Sequence, residues 1–446
     1  MDNLPNELRF LVASYLDSEP PSIFNFAHEP SVDFTNWHST PLKSLSQVSW
    51  RWRKVVLPIL FRYTRVFLDT HPGWVAVNMK LLEHMQSQLT SLSKHELHLY
   101  YQMRNKYKDA GSIPIFNDTY DDAPVSEYQI EEEDKVLKSV PNILRFPRLP
   151  ESFAYLARFI QRYNLEHHIK SVTILTEHRY DISTCCTTEF HLSRAVDEIW
   201  SQLFFHINPA RVVIAAPPST LASLLHACIR TQDAWAFEMN MHCIELLQSE
   251  PCNPDNISLY ENQYGTELIQ RRAWTHLSYN EGSSVPVYST YEYHSKTPTD
   301  LIYNILRSLG TTRKDYCNLR SFSFIGVFPL KAQILLIVSA LKTLPLPLRE
   351  LSFQLAPGPE SDLLSMPKRL RRAQLPDLWL EWRGGYEVII RYLCNNGFKI
   401  EDGGKFFSKD CGEEMVGKEV DDIVQWAHAV ENKREWRKAG KGVWIC

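Results

Sequence analysis

Apolar residues near the N-terminus recur at the spacing of one helix face. The segment from Leu4 to Asp17 reads LPNELRFLVASYLD. The positions i, i+3, i+4, i+7 and i+8 of one face are occupied by Leu8, Leu11, Val12, Tyr15 and Leu16. Pro5 falls at the first turn, where its missing N–H removes no helical hydrogen bond. The pattern predicts a short helix with one apolar stripe.

A second apolar pattern, which follows an insertion, predicts two more short helices. Its apolar positions are Leu42, Leu45, Val48, Trp52, Val55, Val56 and Leu60. The insertion, residues 18–40, contains Pro, Ser and Asn and predicts a loop. About sixty residues with such a gap form a poor independent core, so these stripes need a partner as well as each other.

These residues resemble the F-box, a three-helix module that binds a Skp-family linker protein and so joins a cullin-based SCF ubiquitin ligase. The likeness is carried by Leu4-Pro5, Glu7-Leu8, Tyr15-Leu16-Asp17, Val48-Ser49 and Trp52-Arg53. The resemblance implies an F-box in residues 1–62 whose linker contacts are Leu4, Pro5, Leu8, Leu45, Val48 and Trp52. The insertion departs from the family, in which a few residues join the first two helices. A plain helical hairpin is the alternative.

A strand-like frame, L-x-x-L-x-L, recurs in the second half of the chain. Copies begin at Leu319, Leu348 and Leu375, which are 29 and 27 residues apart. Weaker copies occupy 169–174, 209–214, 274–279 and 97–99, and helical patterns occupy 152–163, 298–309 and 331–344. Strands that alternate with helices need crossover connections, which predicts a parallel sheet.

This alternation resembles an irregular leucine-rich-repeat solenoid, a frequent companion of F-boxes in fungal proteins. The predicted fold is therefore α/β, with a three-helix F-box followed by a leucine-rich-repeat-like, substrate-binding domain in residues 63–446. A compact α/β domain is the alternative. Long irregular segments are predicted at 102–150 and 260–295, and a capping helix at 413–436.

The alternation of side chains along a strand predicts which residues face a target protein. In an L-x-L strand the apolar residues face the helices, so the residue between them lies on the opposite, concave side. The predicted target-binding residues are Ser323, Glu350, Ser352, Asp377, Trp379 and Glu381. The same rule adds Ser321, Gln354, His98, Thr173 and Ser278. For Trp379 the alternative is packing beneath the C-terminal segment.

Composition favours a folded protein of the cytoplasm or nucleus. Of the 446 residues, 44% are hydrophobic and 22% charged, and the net charge of −4 gives no broad attraction to nucleic acid. Nine cysteines without a C-x-x-C pair indicate reduced thiols. The longest apolar run, Ile334 to Leu341, is too short to span a bilayer, so we expect no membrane partner.

No short catalytic or cofactor-binding motif occurs in the sequence. His95 and His98 are wrongly spaced for a zinc-binding helix, and neighbouring pairs such as Cys185-Cys186 point apart on a regular element. We therefore expect no cofactor, no metal and no enzymatic activity. The predicted function is that of a substrate-recognition adaptor in the ubiquitin-conjugation pathway, with a Skp-family linker, a cullin scaffold and an unidentified target as partners. The alternatives are an α/β enzyme without short motifs and an F-box protein that acts outside ubiquitination.

Overall fold

The structure, a computed structural model of the protein, falls into two compact units, Pro72–Arg148 and the remainder of the chain. It describes residues 4–18, 40–67, 74–78, 143–147, 151–176, 200, 207–225, 227, 241–248, 268–269, 274–283, 300–311, 318–357, 375–394, 400–412, 418, 420–423, 425 and 436–446. None of the helices in these ranges has the length and apolar character needed to cross a membrane.

The N-terminal residues form the three predicted helices. They are α1 (Asn6–Tyr15), α2 (Thr40–Val48) and α3 (Trp50–Leu60). The Ser49 side chain caps α3 by accepting a hydrogen bond from the Trp52 backbone N–H at 3.4 Å. The three helices enclose a small core of Ala13, Leu42, Trp52, Val56 and Ile59.

Ten strands of the larger unit form one sheet. In spatial order they are β1 (Tyr63–Phe67), β4 (Ser171–Leu175), β5 (Arg211–Ala216), β6 (His242–Leu247), β7 (His276–Ser283), β8 (Ser321–Val327), β9 (Leu348–Gln354), β10 (Ile400–Ser408), β12 (Val443–Ile445) and β11 (Arg437–Gly440). Neighbours are parallel except at β6 and β12, which are antiparallel to both of their neighbours. The predicted parallel sheet is thus confirmed for most of its width. In the smaller unit β2 (Trp74–Asn78) pairs with β3 (Ile143–Pro147) in antiparallel fashion.

Helices cover one face of the large sheet. They are α4 (Glu151–Tyr163), α5 (Pro218–Leu224), α6 (Asp300–Thr311), α7 (Lys331–Leu341) and α8 (Leu375–Cys394). The last three lie in the crossovers from β7 to β10, where α6 packs on α7 and α7 packs on α8. Their apolar residues share one core with alternate strand residues such as Phe322, Phe324 and Phe353. The predicted helices at 152–163, 298–309 and 331–344 are confirmed.

The prediction of a strand at the third regular copy of the frame is wrong, because Leu375 begins helix α8. The buried residues Leu378, Trp382, Tyr386, Ile389 and Leu393 recur at helical spacing. The strand that follows α8 and pairs in parallel with β9 is β10. Gly384 and Gly385 both lie inside α8. A Cβ on Gly385 would lie 3.1 Å from Leu355 Cδ1, so its absence allows close packing of the helix on β9.

The sheet is buried on both faces over part of its width. We call the face opposite helices α6–α8 the far face. It carries a separate apolar cluster of Leu175, Val213, Ala215 and Cys243. Strand β5 is accordingly apolar on both sides, as is usual for buried parallel strands. The expectation of an exposed concave face is therefore wrong for β4 to β6.

Other expectations have mixed outcomes. The weaker strand copies at 169–174, 209–214 and 274–279 are confirmed as β4, β5 and β7, whereas His98 and its copy at 97–99 lie outside the described residues. The segment 102–150 contains β3, and the segment 413–436 is helical at positions 418, 420–423 and 425. Strands β1, β2, β6, β10, β11 and β12 were not predicted.

Candidate functional site

The apolar stripe of α1 faces outward. Leu8, Leu11, Val12 and Tyr15 are all exposed, Tyr15 to 81%, and together they define what we call the α1 face. The side that α1 buries carries Arg9 and Ala13 instead. Burying apolar area is the main stabilising term in folding, and this helix leaves that area in solvent. The α1 face is therefore available to a partner.

Helix α1 is held in this orientation by contacts from its other side. The Arg9 guanidinium lies 6.0 Å from the centre of the Trp52 ring and donates a hydrogen bond to Asn6 Oδ1 at 3.0 Å. Beyond the helix, Asp17 forms an ion pair with Arg62 at 3.1 Å. The contact of Arg9 with Trp52 holds α1 on α3, and the small residue Ala13 faces inward.

The six predicted linker contacts fall into two groups. Pro5, Leu8 and Val48 lie at the surface, and Val48 is 61% exposed. Leu4 and Leu45 are partly buried against the helical core. Trp52 is only 1% exposed, so its expected direct contact with a linker is wrong and its observed role is to fill the core of the three helices.

The three helices are joined directly to the sheet. Only Phe61 and Arg62 separate α3 from β1, and the Arg62 carbonyl accepts hydrogen bonds from the Lys170 and Ser171 N–H groups at 2.9 and 3.1 Å. Leu57 of α3 lies in the core of the sheet, and Phe61 stacks on Phe159 of α4 at 5.2 Å. The α1 face is consequently carried by the same folded unit as the sheet.

The far face between β7 and β10 is polar. Ser278, Ser323 and Ser352 occupy neighbouring strands in register, and Glu350 stands beside Ser321 in the next row. Glu350 is exposed as predicted, whereas Ser323 and Ser352 are buried, which contradicts the expected exposure of both. Their two Oγ atoms have no hydrogen-bond partner in the described structure. Of the further far-face residues, Thr173, Ser278 and Gln354 are buried as well.

Charged groups border these serines. Arg211 forms an ion pair with Glu245 on the far face, and His276 Nδ1 lies 2.8 Å from Ser321 Oγ. Lys409, which directly follows β10, lies close enough to interact electrostatically with Glu245 and His276. Burial lowers the pKa of the Lys409 ammonium, and Glu245 opposes that shift. The pKa of His276 is lowered by burial, so its ring is neutral near pH 7.

The three predicted target contacts between residues 377 and 381 lie on α8 and not on a strand. Trp379 packs edge-to-face against Phe328 and Trp382, with ring centres 5.2 and 5.5 Å apart. Glu381 Oε2 accepts a hydrogen bond from the Lys331 backbone N–H at 2.6 Å, at the N-terminus of α7. Asp377 lies in the first turn of α8. The expected placement of these residues on the far face is therefore wrong.

A row of buried polar residues, which sequence reasoning missed, crosses the core side of the sheet. His242 Nδ1 and Tyr279 Oη form a hydrogen bond of 2.6 Å, and burial lowers the pKa of His242 to about 3. Glu281 is fully buried, and that burial raises its pKa to about 8 although Gln333 Nε2 donates a hydrogen bond to its Oε1. Gly326 leaves room for this carboxyl group, because a Cβ there would lie 2.8 Å from Glu281 Oε1. At neutral pH the row thus consists largely of neutral groups.

Asp410 ends this row and links three elements. Its Oδ2 accepts hydrogen bonds from Leu355 N at 2.8 Å, Tyr386 Oη at 2.5 Å and Trp382 Nε1 at 3.2 Å. Its Oδ1 accepts one from Ala356 N at 3.1 Å. Burial raises the pKa of Asp410, and the four donors oppose the shift. All of these groups belong to the protein itself, so the arrangement is a structural link between β9, α8 and the end of β10.

Groups of three or more His, Cys, Asp or Glu side chains that could hold a metal ion do not occur among the described residues. Comparisons with protein-family models, with curated proteins and with solved structures found no match for this chain.

Proposed function

We propose that this protein is an adaptor that binds a Skp-family linker through its N-terminal helices and a target protein through its sheet. In this proposal residues 1–62 act as an F-box, and the chain recruits its target to a cullin-based ubiquitin ligase. The support is the F-box-like sequence together with three helices at the positions that sequence predicts.

The observation that carries the proposal is the outward α1 face. A helix whose sequence is amphipathic, and whose apolar side is exposed, gains stability only when another surface covers it. Covering half-exposed leucines such as Leu8 and Leu11 contributes about 1 kcal/mol each. Pro5 and Val48 lie at the surface beside α1 and at the end of α2, where they extend the proposed contact.

The proposed target region is the far face of β7 to β10. These strands follow chain order across the sheet with one helix in each crossover, which is similar to a leucine-rich-repeat arrangement. Glu350 and the neighbouring Lys405 are exposed there. The proposed target site does not include Trp379 and Glu381, because their observed contacts are with α7, α8 and the segment between β8 and α7.

The test is co-purification of the chain with a Skp-family linker. Leu8→Asp/Leu11→Asp should weaken linker binding by about a hundredfold, since two desolvated leucines are replaced by charges. The matched control is Leu335→Asp/Leu380→Asp, which changes two exposed helix leucines of α7 and α8. Both double variants should keep the thermal midpoint of the parent protein.

Two outcomes would decide against the proposal. Linker binding that survives Leu8→Asp/Leu11→Asp would place the contact elsewhere, and equal loss in the control would show that the effect is not specific to α1. Capture of the linker without a cullin, at concentrations where the linker itself binds cullin, would favour an F-box protein that acts outside ubiquitination.

A further inference from the structure

Three groups on the far face lack partners and come from three neighbouring chain segments. Ser323 of β8 and Ser352 of β9 are in-register neighbours, and both are more than nine-tenths buried. Within the described part of the chain, neither hydroxyl has a hydrogen-bond partner. Lys409, at the end of β10, makes no hydrogen bond or ion pair with any described residue. An unpaired buried hydroxyl destabilises the folded state, so two adjacent ones are an unusual feature.

The Lys409 side chain can reach the two serines. Phe407 is the register partner of Ser352, and Lys409 lies two residues further along the chain. A residue in that diagonal position is within reach of a long side chain on the same face. Ser323 is the register partner of Ser352 on the next strand, roughly 5 Å further across the sheet, so a lysine side chain that lies along the far face reaches toward both serines.

The surrounding charges leave one positive charge unbalanced. Glu245 is paired with Arg211, and Glu350 stands beside Lys405 in register. Among the described residues of this part of the far face, Lys409 is the remaining cation. A cation with two hydroxyl donors below it matches a group that has several acceptor oxygens and a negative charge.

We propose that Ser323, Ser352 and Lys409 form an oxyanion-binding site, which receives a carboxylate or phosphate group of the target protein. This site rests on the proposed function, because it specifies what the far face recognises. Lys409 supplies the charge, and the two serines supply hydrogen bonds that they lack in the free protein. Glu350 then stands in the row next to the site, where it disfavours ligands with a second negative charge on that side.

The experiment uses the full chain and an array of short peptides of mixed sequence. Each peptide is made in three forms that differ at one position, with glutamate, phosphoserine or glutamine. The parent protein should retain the glutamate or the phosphoserine form over the glutamine form, and the preferred form identifies carboxylate or phosphate as the ligand. Lys409→Met should weaken that binding about tenfold, and Lys409→Arg should preserve most of it.

Serine variants separate recognition from folding. Ser323→Ala and Ser352→Ala should each weaken peptide binding roughly threefold. Because each variant removes an unpaired buried hydroxyl, the thermal midpoint should stay constant or rise. The matched control is Lys405→Met, a cation of β10 on the same face whose register partner is Glu350, and it should change binding little.

The proposal is overturned if the glutamine peptides bind as well as the charged ones, if no peptide form is retained, or if Lys409→Met binds like the parent. A fall in midpoint in both serine variants would show that the hydroxyls serve the fold. Linker co-purification is measured in parallel. It should be unaffected by Lys409→Met, so failure of this site and failure of the linker proposal are distinguishable.

Discussion

Replacing Glu281 with glutamine should make the protein more stable at pH 8 while changing it little near pH 4.5. Glu281 lies fully buried on β7, with Gln333 of α7 as its hydrogen-bond donor. Its Oε2 and the Oε1 of Gln333 both lack hydrogen-bond partners among the residues that the structure describes. A glutamine at position 281 has the same shape, carries no charge, and can place an amide donor toward Gln333 Oε1.

The expected difference in the free energy of unfolding follows from the pKa of Glu281. Burial raises the pKa of Glu281 from 4.5 to about 8, and each pKa unit corresponds to about 1.4 kcal/mol. Because the pKa of Glu281 is higher in the folded state than in the unfolded state, its contribution to the free energy of unfolding is fully present below pH 4.5. That contribution is lost as pH rises through 8. The free energy of unfolding of the parent, relative to Glu281→Gln, should therefore fall by about 5 kcal/mol over that interval.

The assay is urea unfolding of both proteins at several pH values between 4.5 and 9. His242 gives stability the opposite pH dependence. Burial lowers its pKa to about 3, so its contribution to the free energy of unfolding is lost as pH falls below 6.5. That effect is common to both proteins and cancels in their difference. Parallel stability curves, with a constant offset across pH, would refute a neutral buried Glu281. A changed slope with urea would signal altered compactness instead.

Two further predictions concern the core. Asp410→Ala should lower the free energy of unfolding by about 4 kcal/mol or prevent folding, because four buried donors lose their acceptor. Asp410→Asn keeps one oxygen and should lower it less. Equal stability of the parent and both variants in urea unfolding would contradict the structural link. Trp379→Ala should lower the free energy of unfolding by about 2–3 kcal/mol and lower the thermal midpoint, because the ring packs on Phe328 and Trp382. An unchanged midpoint together with weakened target binding would instead identify Trp379 as an interface residue.

The sequence predicted the α1 stripe but not the direction that it faces. Periodicity identifies which residues share a side of a helix, and the fold decides whether that side is buried. Here the buried side holds Ala13 and Arg9, a pairing that no hydrophobicity pattern marks. The contact of Arg9 with Trp52 joins residues that are distant in sequence, so it becomes visible only in three dimensions.

The failure at Leu375 has a local cause. The frame Leu375, Leu378, Leu380 satisfies the strand template, but its last member is 65% exposed and contributes nothing to the core. A longer window that includes Trp382 and Tyr386 shows that these apolar residues recur at helical spacing. Pro376 in the first turn is a second signal for a helix, because proline is favoured there. Six residues were too short a window to separate the two periods.

The buried polar row could not be read from the sequence at all. Asp410 and its partner Leu355 are 55 residues apart, and His242 and Tyr279 are 37 apart. None of these residues belongs to a short motif, so no local pattern marks them. What brings them together is strand order in the sheet, which sets neighbours across a distance that short motifs cannot span.

The connection between α3 and β1 bears directly on the adaptor proposal. An adaptor must hold its target at a defined position relative to its linker, and a flexible joint would spread that position over many arrangements. Here Leu57 lies in the core of the sheet, and Leu60 packs against both that core and the core of the three helices. A hinge at Phe61 would separate Leu57 from that core and break the stacking of Phe61 on Phe159. The α1 face and the far face of β7 to β10 therefore belong to one folded unit, and in the proposed adaptor this unit sets the position of the target relative to the linker.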